Sequence, residues 1–264
     1  MFARVNHWRV FRTSTRVWGF DLTPPTLDRK LALLAHRWGL LGQAERRFLE
    51  HCLRPDSALI DVGANQGLYT LLASRLSPQG SIFAIEPDPD LHRCLERNIL
   101  ANGRKNVRAI RCAASDRPGT LRFAPGKFNR GDNRIQAHHA QNQSSAMSFE
   151  VPANRLDDLV PEIQVNLLKI DVQGWEIPVL KGAERILSEN RTIIVLIEFW
   201  PFGLRAAGFE PAELLDHLKG RGFHIRRLGR KGRSEALAEP VAGCRRANQY
   251  VNLVACRDPA RIGL

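Results

Sequence analysis

The segment Leu59–Thr70, LIDVGANQGLYT, places an acid and two glycines directly after an apolar run. Asp61 ends the run, and Gly63 and Gly67 follow. A second acid, Glu86, ends another apolar run 19 residues past Gly67. Acids and bare backbone at the ends of buried segments hold small molecules, and three ligands compete for the turn. A nucleoside triphosphate needs G-x-x-x-x-G-K-[ST]. Counting from Gly63 puts Leu68 at the second glycine, and no lysine follows. A dinucleotide needs G-x-G-x-x-G, but the corresponding positions hold Asn65 and Leu68. The close approach to a pyrophosphate is therefore not provided for, and NAD or FAD is demoted. The third ligand, S-adenosylmethionine, has a nucleoside and an amino-acid head but no phosphate. Asp61 can receive its ammonium through a charge-assisted contact. Gly63 lets the backbone approach, and Gly67 keeps the N–H groups of the next helix near the carboxylate. Glu86 can accept hydrogen bonds from both ribose hydroxyls, as acids do in dinucleotide folds.

Further candidates lie downstream. Asp171 closes the run NLLKIDV and is followed by Gly174 and Glu176. It reads as a general base or as a helix cap, and the two roles are compatible. Lys169 in the same run is costly to bury. It calls for an edge position, an acidic partner such as Glu198, or a role in substrate binding. Glu198 interrupts the most apolar run, TIIVLIEFW, and a buried acid there is a site candidate or half of a salt bridge to Lys169. His138 and His139 are alternative bases, although a solvated loop is the blander reading. No second ligand stands at a metal-site spacing from them, so no metal is expected. Trp175 and Trp200 read as core, with Trp200 alternatively lining a pocket mouth.

These residues need elements to carry them. Ala58–Val62, Ser81–Pro87, Val107–Ala113, Asn166–Val172 and Thr192–Phe199 read as strands, with Phe223–Leu228 and Tyr250–Cys256 after them. Leu68–Leu76, Asp88–Ala101, Trp175–Leu187 and Glu210–Lys219 read as helices. Alternating strands and helices predict an α/β fold with a mostly parallel sheet, whose ligands sit at the carboxyl ends of the strands. Upstream, Leu27, Leu31, Leu34, Trp38 and Leu41 recur at helical spacing, and a second short helix follows over 43–53. Residues 1–20 show no clean period. Leu121–Glu150 is rich in Asn, Gln, His and Ser, without a helical or strand period. A loop of that length is functional or disordered.

The 264 residues suffice for one such domain with an appendage. No apolar run approaches the roughly 20 residues that span a bilayer. The net charge of +12 favours acidic partners. It thickens over Met1–Phe20 and over Lys219–Arg233. A solvated basic surface is the plainest reading, and peripheral contact of the N-terminus with an anionic membrane is the sharper one. No nucleic-acid-binding module is legible, so no specific nucleic acid is expected. The five cysteines are odd in number and lack CxxC spacing, which points to a reducing cytoplasm. The N-terminus lacks the apolar core of a secretory signal, and its resemblance to a transit peptide is compositional only.

Taken together, IDVGANQGLYT (60–70), AIEPDP (84–89), NILANG (98–103), AASD (113–116), LLKIDVQGWEIPVLKGA (167–183) and IEF (197–199) resemble the FkbM family of S-adenosylmethionine-dependent methyltransferases. The resemblance runs in family order over about residues 45–256. It implies a class I methyltransferase fold, Rossmann-like, with a seven-stranded sheet and helices on both faces. It implies Asp61, Gly63, Asn65 and Gly67 around the methionine moiety, Glu86 at the ribose and Asp116 at the adenine amine. It implies transfer to oxygen, on a sugar, glycolipid or polyketide-type hydroxyl. Asp171, Glu198 and His139 are then the candidates for the proton acceptor. The expected organisation is a basic extension over 1–42, a methyltransferase domain over 43–257 and a tail over 258–264. An NAD(P)-dependent oxidoreductase and a non-catalytic membrane-associated module are the competing classes.

Overall fold

A computed structural model describes residues 14–25, 27–124, 134–135, 148–237 and 249–261. The chain opens with a hairpin of β1 (Thr15–Val17) and β2 (Phe20–Leu22), followed by α1 (Leu27–Arg37) and α2 (Gln43–Cys52). Next come β3 (Leu59–Val62), α3 (Leu68–Leu76), β4 (Ile82–Ile85), α4 (Pro89–Ala101) and β5 (Val107–Ile110). Four strands form a separate sheet: β6 (Ala113–Ala114), β7 (Gly119–Ala124), β8 (Arg134–Ile135) and β9 (Phe149–Asn154). The helix α5 (Leu156–Leu159) leads to β10 (Leu167–Ile170), α6 (Glu176–Lys181), α7 (Glu184–Glu189) and β11 (Ile194–Phe199). The remainder is α8 (Pro201–Ala206), α9 (Pro211–Lys219), β12 (His224–Leu228), β13 (Ser234–Glu235) and β14 (Val251–Cys256).

The large sheet has the order β13-β12-β14-β11-β10-β3-β4-β5. The five strands from β5 to β11 are parallel, and β14, β12 and β13 pair antiparallel. All four residues of β3, β4 and β10 are buried, as expected for strands covered on both faces. The chain order turns around between β3 and β10, which makes their carboxyl ends the switch point. One core cluster lies on the face of Ile60, Val62, Ile170 and Ile197. Another lies on the face of Leu59, Leu167 and Leu196, under α2 and α3.

Several boundaries differ from the sequence reading. The sheet has eight strands rather than seven, because the basic run after β12 turns back. Arg227 faces Glu235 and Leu228 faces Ser234, and the run's charge masked its turn. The expected third strand splits: Val107–Ile110 stays in the large sheet and Ala113–Ala114 joins the small one. The ends of the segment without apparent period are paired strands, β7 with β9, with Phe123 and Val151 buried. The single helix expected over 175–187 breaks at Gly182, where a Cβ would lie 1.9 Å from the Ser115 carbonyl oxygen. The hairpin β1–β2, unseen in the sequence, buries Val17, Phe20 and Leu22 in the same core as Leu68, Leu71 and Leu72.

Candidate active site

The turn after β3 runs through three left-handed residues, Gly63 (φ 80°), Asn65 (φ 56°) and Gly67 (φ 92°). Gly63 is required by packing as well as by any ligand. A Cβ there would lie 1.9 Å from the Asp171 carbonyl oxygen, so this turn presses on the turn after β10. Glu86 is buried beneath it. Its Oε2 accepts from the Asn65 backbone N–H at 2.8 Å and its Oε1 from that of Asp88 at 3.0 Å. Gly67 caps α3 without a side-chain hydrogen bond, so the first N–H groups of the helix face the turn uncapped.

Asp61 has a different neighbour from the one expected. The β3–β10 register sets it opposite Lys169, and the Lys169 ammonium lies 3.1 Å from its Oδ1. The Thr70 hydroxyl donates to Oδ2 at 2.7 Å. Lys169 thus pairs with Asp61, not with Glu198, because Asp61 is its direct cross-strand neighbour. Burial pulls the Lys169 pKa down, but the charges of Asp61 and Asp171 and the hydrogen bond to Asp61 together outweigh it and leave the pKa raised. The turn fits S-adenosylmethionine at two of its groups. The uncapped helix N-terminus suits a carboxylate, and Glu86 is an acidic acceptor beside it for a ribose. An ammonium at Asp61 would have to share its oxygens with Lys169 and Thr70.

The second turn brings the downstream candidates together. Asp171 follows β10 and Glu198 lies near the end of β11. Gln173, itself left-handed at φ 56°, donates from one amide nitrogen to both, at 3.0 Å to Asp171 Oδ1 and 2.6 Å to Glu198 Oε2. The Lys169 ammonium stands 3.8 Å from Asp171 Oδ2. The Asp171 side chain is 37% exposed, so it remains reachable. Burial, then the charge of Asp171, pushes the Glu198 carboxyl well above the usual range. Glu176, sealed in the core, is pushed up to about 7 by burial, although its Oε1 accepts from the Gly174 N–H at 3.0 Å. Lys169, Asp171 and Glu198 border a cavity of about 180 Å³ that Glu45, Tyr69 and Asn252 also line. Asn252 donates to Glu45, whose carboxyl is raised by burial.

The opposite wall of the cavity comes from residues the sequence reading set apart as an extension. His36, Leu41 and Gly42 line it. The rings of Trp18, His36 and Tyr69 meet edge to face, and the Lys169 ammonium lies 5.0 Å from the Tyr69 ring. Burial lowers His36 to about 4, so it is neutral near pH 7. Gln173, Glu45, Tyr69 and Asn252 were not singled out from sequence. Gln173 and Tyr69 stand inside motifs already quoted, whereas Glu45 and Asn252 reach the cavity only through tertiary packing.

The remaining candidates do not line this cavity. Asp116 is exposed, accepts from the Ser115 hydroxyl at 3.1 Å, and lines an open groove with Arg155, Lys181 and His217. His138 and His139 fall outside the described residues. Trp175 donates to Ser115 Oγ at 3.3 Å and packs edge to face on Phe209, and Trp200 is buried. Both tryptophans are wall and core. No cluster of three metal-binding side chains occurs among the described residues.

Comparison with known proteins accords with this arrangement. The family model described as the methyltransferase FkbM domain matches residues 61–225. Methyltransferase sdnD of Sordaria araneosa is 29% identical over 217 residues, covering 68% of this chain and 80% of that protein. Hexuronic acid methyltransferase AglP of Haloferax volcanii is 30% identical, covering 60% of each. 2-O-methyltransferase NoeI of Sinorhizobium fredii is 26% identical, covering 57% of this chain and 67% of that one. With the doubly wound sheet and the two facing turns, the match to more than half the chain makes this protein a member of the FkbM methyltransferase family, a class I enzyme whose methyl donor is S-adenosylmethionine.

Proposed function

We propose that the chain is an O-methyltransferase acting on a hydroxyl of a sugar, glycolipid or polyketide-type acceptor. The observation that carries this reading is the pair of carboxylates, Asp171 and Glu198, tied by Gln173 at the mouth of a cavity beside the first turn. Bound at that turn, S-adenosylmethionine supplies an electrophilic methyl group. Asp61, Gly63, Asn65, Gly67 and Glu86 hold its methionine and ribose, and Asp116 holds the adenine amine. The chain's own task is to orient an alcohol and take its proton. Asp171, the more exposed carboxylate, takes that proton. Gln173 fixes its orientation, and Glu198, its carboxyl raised by burial, accepts or donates a hydrogen bond to the same acceptor. His139 is the alternative base. The 2-O specificity named for NoeI and the hexuronic acid named for AglP support a sugar acceptor.

In this reading the catalytic motifs fall within residues 43–257, while the region expected as a basic extension over 1–42 contributes a wall of the same cavity, and 258–264 form a tail. The enzyme works in the cytoplasm on a small molecule or glycan, without a nucleic-acid partner. The test is to incubate the protein and labelled S-adenosylmethionine with a hydroxyl-rich cell extract and seek a methylated product. Labelled product on oxygen supports the reading, and label found only on nitrogen or carbon overturns it.

A further inference from the structure

Among the described residues, four of the seven large apolar side chains that stand in solvent gather at one place, while Leu100 and Phe202 stand apart. Leu31, Trp38, Leu40 and Leu41 are 56%, 67%, 72% and 43% exposed, and all lie on α1 or in the turn after it. Leu31 and Trp38 are two helical turns apart and share a face. Leu41 also lines the cavity of Asp171 and Glu198, as does Tyr250, which is 51% exposed. The mouth of the cavity thus has an apolar lip.

A basic ledge packs on the same helix that supplies Glu45 to the cavity wall. The turn between β12 and β13 packs on the first half of α2. A Cβ on Gly232 would lie 2.6 Å from Arg47 Cβ and 2.9 Å from the Ala44 carbonyl oxygen. That turn holds Arg230, Lys231 and Arg233 in solvent, and Arg47 is exposed beside it. Ala44 adjoins Glu45, a cavity wall residue. The densest basic run of the sequence is therefore folded against the helix that opens the cavity.

An apolar lip beside a basic ledge fits one partner best. A bilayer with anionic headgroups takes aliphatic and Trp side chains into its interface and attracts Lys and Arg at its surface. A second copy of the chain would bring like charges together. A single-stranded nucleic acid would need a platform of stacking aromatics, where this face offers mainly leucines. We propose that this face seats the enzyme on an anionic lipid bilayer with the cavity mouth turned toward the headgroups. The acceptor is then a hydroxyl carried at the membrane surface, a consequence that rests on the acceptor site proposed above.

The test uses the full chain and vesicles of phosphatidylcholine with or without phosphatidylglycerol, read by co-sedimentation. The melting temperature is measured in parallel as the check on folding, and S-adenosylhomocysteine binding as the check on the cofactor site. Binding to the phosphatidylglycerol vesicles that falls with salt is expected. Arg230→Ser, Lys231→Ser and Arg233→Ser should each weaken it about fivefold. Trp38→Ser with Leu40→Ser should remove most of it, while S-adenosylhomocysteine binding stays unchanged in every variant. Vesicle binding without S-adenosylhomocysteine binding would support the docking and count against the cofactor site. The proposal is overturned if phosphatidylglycerol vesicles leave the protein in solution, or if neither set of variants alters binding. A dimer lost on Trp38→Ser with Leu40→Ser, or an RNA that displaces the vesicles, would assign the face to another partner.

Discussion

Single residues decide the chemistry, and two carboxyls show how. Asp171 was legible in the sequence because an acid closing a buried run, with a glycine three residues on, is similar to the first turn. Asp171→Asn keeps the shape and the Gln173 contact but removes the proton acceptor. We expect turnover to fall roughly 100-fold or more while cofactor affinity and melting temperature hold. Steady-state kinetics beside equilibrium binding checks this. Glu176 makes a pH prediction. Burial raises its folded pKa to about 7, above an ordinary value of 4.5, so the folded state holds a proton the unfolded state has released. Stability should therefore fall as pH rises from 4.5 to 7 and stay lowered above, by about 3 kcal/mol at most. Glu176→Gln keeps an acceptor for the Gly174 N–H. It should flatten the melting temperature against pH and raise it at pH 8, and scans across that range test it. Glu86 was legible as an acid at a strand end, but its bonds to Asn65 and Asp88 were not, because they depend on how the turn folds back. Glu86→Ala should therefore weaken S-adenosylhomocysteine binding by roughly 1.5–3 kcal/mol and also lower the ligand-free melting temperature. Loss of affinity alone would mean that the turn does not need it.

Elements carry these groups to one edge, and here the sequence served unevenly. The parallel strands were readable because strands buried on both faces are continuous apolar runs, and the helices between them have a clear period. The Lys169–Asp61 pair was not readable, since two residues 108 positions apart meet only through the β3–β10 register. Removing one partner leaves a charge sealed in the sheet. Lys169→Met should cost about 3–5 kcal/mol, and Lys169→Met with Asp61→Asn should recover a large part of it. Denaturant unfolding of the single and double variants measures this. Additive losses would mean that the two groups are not coupled. The pressed turns make a sharper case. Gly63→Ala puts a Cβ into the Asp171 carbonyl and also strains a left-handed residue, so it should disturb the second turn as well as the first.

At the scale of the molecule, the N-terminal hairpin and α1 belong to the core and form a wall of the cavity. The helix was legible from its apolar spacing, but three-residue strands give little pattern to read, and the spacing does not show which core the helix joins. Val17, Phe20, Leu22 and Leu33 are each at most 1% exposed. At about 1.5–3 kcal/mol per buried side chain, their joint loss rivals the whole stability of an ordinary domain. A chain lacking residues 1–42 should fail to unfold cooperatively, as calorimetry would show. Retained cooperativity would make the extension dispensable to the fold. The central claim is that the two facing turns divide the work, the first holding S-adenosylmethionine and the second activating a hydroxyl. The most direct measurement is transfer of labelled methyl to a hydroxyl-rich extract, at saturating S-adenosylmethionine, by the native enzyme and by Asp171→Asn. The account predicts labelled O-methyl product from the native enzyme and roughly 100-fold less from the variant at equal cofactor occupancy. Equal labelling by both would contradict it.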